Sequence, residues 1–367
     1  MSDCRIRSIS TTVLEMPFRK TWQISLYSAA TRPHLFVRVE TEDGIYGYGE
    51  ASPSPAFMGE TAYTAREVID RHLKVALIGV SIHDRSTIHT RMDRILHGNS
   101  GAKTAIDLAV HDSAGKALGV PVCRLIGGKL RENVPQAWVL GIQEVKDGLE
   151  EARFMLEKGY GTIKVKVGTN PPREIELLKA LRSEHGNDFK LRVDANQGFS
   201  VRETMAFLQK TSHLDLECIE QPVPRWDIKG LREIRSRGGV PVMADESCSS
   251  PQDAIRVIEA GAADILNIKV AKVGGLYRAV QTASLAEAAG LSAVAGSNIE
   301  AGLGSWANIH FAASQACMCH DNDQIAVPLY ENDIIEEEFD LASGGIPVTD
   351  KPGLGVSLSK QIINELR

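Results

Sequence analysis

KLRVD at Lys190–Asp194, LECIE at Leu216–Glu220, PVMAD at Pro241–Asp245 and DILNIK at Asp264–Lys269 are four short, largely apolar runs, each closed by a charged residue. The closing residues Asp194, Glu220, Asp245 and Lys269 stand 26, 25 and 24 residues apart. That interval holds one strand, one helix and two loops, so the four polar groups emerge from successive strands of a parallel sheet at one rim. An open doubly wound sheet has the same rhythm. Closure into a barrel is favoured because chemistry rises from so many consecutive strands, and the C-terminal rim of a barrel is where its active site lies. Three carboxylates converging there repel one another and call for a cation. Hard oxygen donors with open positions suit Mg2+, with Mn2+ as a substitute, better than Zn2+.

The alternation extends in both directions from these runs. Strands fit at Gln136–Leu140, Thr162–Val167 and Leu291–Ala295, with an eighth within Ala316–His320. Gly159, Gly161, Gly186 and Gly261 sit where helices should stop. In Thr162–Val167, Ile163, Val165 and Val167 share one face, and Lys164 and Lys166 share the other. The apolar face packs on helices, so both lysines point to the barrel axis. Two buried ammonium groups side by side should depress each other's pKa toward the range useful for proton abstraction. Asp194 is in phase with Asn196, and Lys269 with Asn267. Lys272 has the opposite parity and is expected in an exposed loop.

Before Val134 the rhythm is different. Ile6–Glu15 and His34–Glu40 alternate like half-buried strands, and Glu42, Asp43 and Gly44 form a turn before Ile45–Glu50, which predicts an antiparallel meander. Helical periodicity follows in Tyr63–Leu77, Ile82–Leu96 and Ala102–Leu118. Phe18–Thr31 and Ala51–Thr61 have no clear period and read as loops able to cover a site, the first carrying Trp22 and Tyr27. Three parts result: an α+β capping domain at 1–128, an α/β barrel at 129–330, and a C-terminal segment at 331–367 that returns toward the cap. His83, His89, His97 and His111 on the cap helices lack a partner pattern and are expected to be surface or packing residues.

A chain of 367 residues exceeds one ordinary core but fits a barrel of about 200 to 250 residues plus a smaller partner. With 43% hydrophobic and 24% charged residues it has material for a sizeable core. The net charge of -6 is small, and Lys and Arg are scattered, which argues against nucleic acid as a partner. Cys4, Cys123, Cys218, Cys248, Cys317 and Cys319 lie at irregular spacings without a CxxC pair, as expected of reduced packing cysteines. The first ten residues carry charge, and there is no run of about 18 apolar residues. The expectation is a cytoplasmic protein with no membrane partner.

IKVKVG at Ile163–Gly168, RVDANQG at Arg192–Gly198, IEQP at Ile219–Pro222, ADES at Ala244–Ser247 and NIKVAKVGG at Asn267–Gly275 form an ordered set, accompanied by YGYGEA at Tyr46–Ala51 and PGLGV at Pro352–Val356. The set resembles the muconate-lactonizing-enzyme subgroup of the enolase superfamily over nearly the whole chain. The resemblance implies a modified (β/α)7β TIM barrel under an α+β cap. It implies Mg2+ on Asp194, Glu220 and Asp245, with Lys166 and Lys269 on opposite faces of an enolate and Lys164 as an auxiliary cation. A small-molecule carboxylate is the implied substrate and a homo-oligomer the implied assembly.

Two lysines flanking one carbon allow two outcomes. One lysine can protonate an enolate made by intramolecular addition, as in a muconate-type cycloisomerase. Alternatively one removes and the other returns a proton, as in an N-acylamino-acid racemase or dipeptide epimerase. KVAKVGG at Lys269–Gly275 and VPLYENDI at Val327–Ile334 look like muconate cycloisomerases, and that reading leads. The loop GEASPSPAFMGET at Gly49–Thr61 is closer to dipeptide epimerases. Asp321 and Asp323 resemble the aspartate pair with which those epimerases hold a substrate ammonium, although the spacing to Pro328 is longer; the alternative is a solvated acidic loop. Glu300 is placed like a carboxylate often found near the site, or serves as a charge at a helix start. Asn196, Glu246, Asn267, Trp22 and Tyr27 complete the candidate substrate-contacting or supporting residues. A barrel that binds a carboxylate without turning it over is the remaining alternative.

Overall fold

The computed structural model describes residues 3–23, 28–324, 326–337, 339 and 343–366. Strand β1 (Ile6–Gln23) pairs antiparallel with β2 (Ser28–Thr41), and β2 with β3 (Tyr46–Ala51). This is the meander that the alternation predicts, with Gly44 at φ 78° in its turn. Ile6, Ile9, Leu35, Val37 and Val39 share a core with Ala102, Ala105, Ile106 and Ala109 of the long helix Ser100–Leu118. Gly49 allows that helix to approach: a Cβ there would lie 2.0 Å from the Ala105 carbonyl oxygen. Only glycine fits.

One cap expectation is corrected. Phe18–Thr31 is not a loop on its described part, since β1 runs on to Gln23 and β2 resumes at Ser28, after a register shift between Pro17 and Trp22. Pairing supplies the backbone hydrogen bonds there despite the lost alternation, and Phe18 makes a further bridge to Tyr330. Tyr27 lies outside the described residues. The cap histidines divide as packing and surface groups: His89 and His111 are buried against Asp107, at 2.7 and 3.3 Å.

Strand β4 (Asn133–Pro135) leads into the barrel sheet: β5 (Ala137–Leu140), β6 (Thr162–Lys166), β7 (Lys190–Asp194), β8 (Leu216–Glu220), β9 (Val242–Ala244), β10 (Ile265–Ile268) and β11 (Ser292–Ala295). These seven run parallel and neighbour one another in chain order. Helices fill each interval, and several start on the side-chain caps that sequence signals announce. Ser200 and Glu203 form a reciprocal capping box, and Ser250 accepts from the Asp253 amide. The Ile, Leu and Val side chains of the strands meet these helices in the larger core.

The eighth element is not a continuous strand. Met318 bridges Ala293 on one side and Asn322 bridges Gln136 on the other, which closes the ring. A side chain replaces part of the ladder: Asn322 Oδ1 accepts from the Ala295 amide at 2.8 Å, while its carbonyl accepts from the Ala137 amide at 2.7 Å. The C-terminal stretch lies against both parts, with β12 (Gly345–Pro347) antiparallel to β4 and the Leu354 amide donating to Asp112 of the cap.

Cap and barrel are tied by buried polar contacts. Glu50 of β3 accepts from the Ala301 and Gly304 amides at 2.7 and 2.8 Å, and so caps the barrel helix Gly302–Ser314. His34 joins Glu50 to the Tyr330 hydroxyl. Among the described residues no helix is long and apolar enough to cross a membrane. All six cysteines are free.

Candidate active site

Strand register brings the charged strand ends together. Lys166, Asp194 and Glu220 are direct neighbours across β6, β7 and β8. Ala244 pairs with Leu266, which sets the next residues, Asp245 and Asn267, side by side. Lys166 donates to Asp194 at 2.5 Å and to Asn196 at 2.9 Å. Lys164 donates to Glu220 at 3.0 Å and lies 3.9 Å from Asp194. Lys269 donates to Asp245 at 2.7 Å, and Asn267 to Glu220 at 2.5 Å.

Each carboxylate is therefore matched by a lysine. Burial opposes the charge of Lys164, but Asp323, Glu220 and Asp194 outweigh it and hold the amine above its ordinary pKa. For Lys269 burial is likewise overcome, by Asp245, Glu220 and Glu246. The expected depression by lysine pairing does not hold for Lys164, because three carboxylates, Asp323, Glu220 and Asp194, face its ammonium. Asp245 is held below the usual carboxylate range against its burial by Lys269 and Lys272.

Among the described residues, no group of three His, Cys, Asp or Glu side chains forms a preset metal cluster. The donor chemistry nonetheless fits a hard divalent ion: Asp194, Glu220 and Asp245 are buried oxygen donors on three consecutive strands. Glu246 adjoins them, with one oxygen on Asn196 at 3.2 Å and the other buried without a partner. Burial, then Asp245 and Asp194, push its carboxyl up to about 8. The unpartnered Glu246 oxygen is a buried acceptor that a cation beside Asp245 would satisfy.

Lys164, Lys166 and Lys269 face one cavity. Asn196 and Asp323 also line it, and its remaining walls are Trp22, Phe57, Val139, Ile299, Ala326 and Leu329, with Ser54, Ser297 and Asn298. Phe57 lies in the Ala51–Thr61 segment and covers Lys269, whose ammonium sits 4.4 Å from the ring centre. Arg225 fixes that segment by donating to the Phe57 and Ala56 carbonyls. Ile299 holds φ 61°, a rare backbone for a β-branched residue.

Other candidates are placed as follows. Asp323 is buried and donor-paired with Lys164 at 2.5 Å, and near Arg192 at 3.5 Å, so it is not part of a solvated loop. Asp321 lies two residues lower along the segment and accepts from Thr162 at 2.7 Å, away from the cavity lining. Asp323 lines the cavity and Asp321 does not. Glu300 is buried, with one oxygen accepting from Ser297 and the Asn298 amide and the other unpaired; burial raises its pKa. Lys272 is corrected outright: it is 2% exposed and bonded to Asp245. Its parity places it off the β10 axis, yet the helical turn Val270–Val273 folds it back under the rim. Arg192, in phase with Asp194 along β7, is fully buried on Glu217.

Residues 8–127 match the mandelate racemase / muconate lactonizing enzyme N-terminal domain, and residues 147–362 the enolase C-terminal domain-like family. An N-succinyl-L-Arg/Lys racemase of Bacillus cereus is 36% identical over 99% of this chain and 98% of its own; its crystal structure superposes with a TM-score of 0.94. Muconate cycloisomerase 1 of Rhodococcus opacus is 31% identical over 99% of this chain and 98% of its own. A dipeptide epimerase from Enterococcus faecalis, complexed with Mg and the dipeptide L-Leu-L-Tyr, superposes with a TM-score of 0.92 at 32% identity, covering 96% and 99% of the two chains. With both halves matched and the rim chemistry in place, the chain belongs to the enolase superfamily, in its mandelate racemase/muconate lactonizing branch, and is an isomerase of that kind.

Proposed function

We propose that the protein inverts the α-carbon of an N-acylated amino acid, moving protons between Lys166 and Lys269. Both amines line one cavity, and this shared lining is the observation that carries the reading. Asp194, Glu220 and Asp245 would hold Mg2+, and Lys164 supports Glu220. Bound Mg2+ would supply positive charge to the substrate carboxylate as the α-proton leaves. Lys166 takes the proton from one face, and Lys269 returns one from the other. Asn196 orients Lys166, and Phe57 over Lys269 keeps that amine from bulk water.

The walls supply the substrate class. Ser54 can hydrogen-bond an amide, and Trp22, Val139, Ile299 and Leu329 accept an apolar group. Among the described residues that line the cavity the carboxylate is Asp323, which is committed to Lys164, so a free substrate ammonium has no uncommitted counter-charge there.

A muconate-type cycloisomerase is the second reading. Leu329, within the VPLYENDI stretch that resembles those enzymes, lines the cavity. It ranks second because the N-succinyl-L-Arg/Lys racemase is 36% identical to this chain and muconate cycloisomerase 1 is 31% identical.

The test is incubation of N-acetyl and N-succinyl amino acids with protein and Mg2+ in D2O, following the α-proton by NMR and the configuration by polarimetry. Deuterium at the α-carbon with loss of optical rotation is expected. No exchange with any N-acyl amino acid, together with loss of the ultraviolet absorption of cis,cis-muconate, would replace this reading with the second.

A further inference from the structure

Lys272 is among the largest fully buried side chains and does not line the cavity. A buried ammonium must spend its three protons on partners or it costs several kcal/mol, on the order of a lost buried ion pair. Here all three are spent on two residues of the rim. Lys272 donates to the Asp245 backbone carbonyl, to Asp245 Oδ1 at 2.8 Å, and to the Asn267 carbonyl at 3.0 Å. Asp245 Oδ2 is left to Lys269 at 2.7 Å. Asn267 in turn donates from its side chain to Glu220 Oε1 at 2.5 Å. One ammonium thus ties the ends of β9 and β10 and reaches two of the three candidate metal carboxylates.

The turn that carries Lys272 is itself clamped by the cap. Thr104 donates to the Val270 and Ala271 carbonyls, at 3.3 and 3.1 Å, and Asp107 accepts from the Leu276 amide at 2.5 Å. Gly275 at φ 105° permits the contact, since a Cβ there would lie 2.4 Å from Asp107 Cβ.

We propose that Lys272 is a positioning residue for the proton transfer on the Lys269 side: by fixing Asp245 through Oδ1 and its carbonyl, it directs Oδ2 at Lys269 and the metal position. It rests on the proposed function for its catalytic consequence. The two lysines near Asp245 divide the work. Lys269 faces the cavity and moves protons, while Lys272 stays behind the carboxylate as a fixed counter-charge. The effect on catalysis is then one-sided, because Lys166 is set by Asp194 and Asn196 instead.

Lys272→Met and Lys272→Gln test it in the full chain, with Mg2+ affinity by calorimetry, folding by circular dichroism, and α-deuteration of each enantiomer of an N-acyl amino acid. Lys269→Ala first identifies which enantiomer gives its proton to that lysine. Mg2+ affinity is expected to fall by about 10- to 100-fold, the usual effect of removing a ligand's supporting contact. With Mg2+ saturating for each variant, exchange from the Lys269-facing enantiomer should fall at least about tenfold more than from the other. If Lys272→Met does not fold, Lys272→Gln keeps a donor to the two carbonyls and carries the same comparison. Parental Mg2+ affinity with parental exchange in the variant overturns the proposal. Equal loss from both enantiomers, or failure of both variants to fold, overturns it too, because a structural ion pair then accounts for everything. A parent that neither binds Mg2+ nor exchanges any α-proton overturns the proposed function along with it, which separates the two failures.

Discussion

Lys164 donates to Asp323 Oδ2 at 2.5 Å and to Glu220 Oε2 at 3.0 Å, so one ammonium joins the eighth barrel segment to a candidate metal carboxylate. In the proposed function Asp323 is part of the lysine's support and not a counter-charge for substrate. Asp323→Asn should lower kcat/KM for N-acyl substrates by roughly tenfold, as for other supporting contacts, without changing the discrimination against dipeptides with a free amine. Steady-state rates on both substrate types decide it. A loss confined to free-amine dipeptides would show that Asp323 meets the substrate.

Lys166 and Lys269 are expected to act one on each face. Lys166→Ala and Lys269→Ala should each cut racemisation by about 10²- to 10⁴-fold, the usual worth of a positioned acid or base. Each variant should still exchange the α-proton of one enantiomer, a different one in each case, because the remaining lysine can remove a proton and return deuterium to the same face. NMR of separate enantiomers in D2O reads this directly. Equal residual exchange of both enantiomers in either variant contradicts the two-face assignment.

Glu220 accepts from both Lys164 and Asn267 and is fully buried. Glu220→Gln is nearly isosteric, yet it removes one of three anionic donors from the proposed Mg2+ site. Mg2+ affinity should fall by at least about tenfold and turnover should be lost, with the circular dichroism spectrum retained. Calorimetry with Mg2+ on the parent and the variant checks it. A variant binding Mg2+ as tightly as the parent removes Glu220 from the ligand set.

The strand-end spacing was legible because a barrel repeats one physical problem: every strand must be apolar toward its helices, which leaves the axis-facing and rim positions for polar groups. Asp194, Glu220, Asp245 and Lys269 follow that rule, and parity alone puts Lys164 and Lys166 into the cavity. Lys272 broke the rule because it leaves the strand on a helical turn, where a period of two no longer applies. The eighth segment was weak in sequence because its pairing uses the Asn322 side chain, which leaves no β-branched run to read. The β1–β2 extension past Phe18 had no alternation, since its pairing is interrupted between Pro17 and Trp22. Cavity walls such as Phe57 and Ile299 come from loops whose direction only the fold sets.

Glu217 supplies a pH test of the barrel's interior that does not involve the rim. Its carboxylate accepts from buried Arg192 at 2.9 Å and meets His320 of the eighth segment at 2.8 Å. Burial alone would raise its pKa, but the His320 hydrogen bond and the Arg192 charge overcome it and bring it down to about 2. A carboxyl whose folded pKa lies below its unfolded value binds fewer protons when folded, so stability rises with pH across that window. Its contribution is fully present above about pH 4.5 and is lost as pH falls toward about 2. Glu217→Gln should therefore cost on the order of 2 to 3 kcal/mol at pH 6, and progressively less as the pH is lowered through that window. Urea unfolding of parent and variant at several pH values gives the difference directly. A gap that stays constant from pH 6 to pH 2, or widens in acid, would mean that the Glu217 charge does not hold the eighth segment to the barrel.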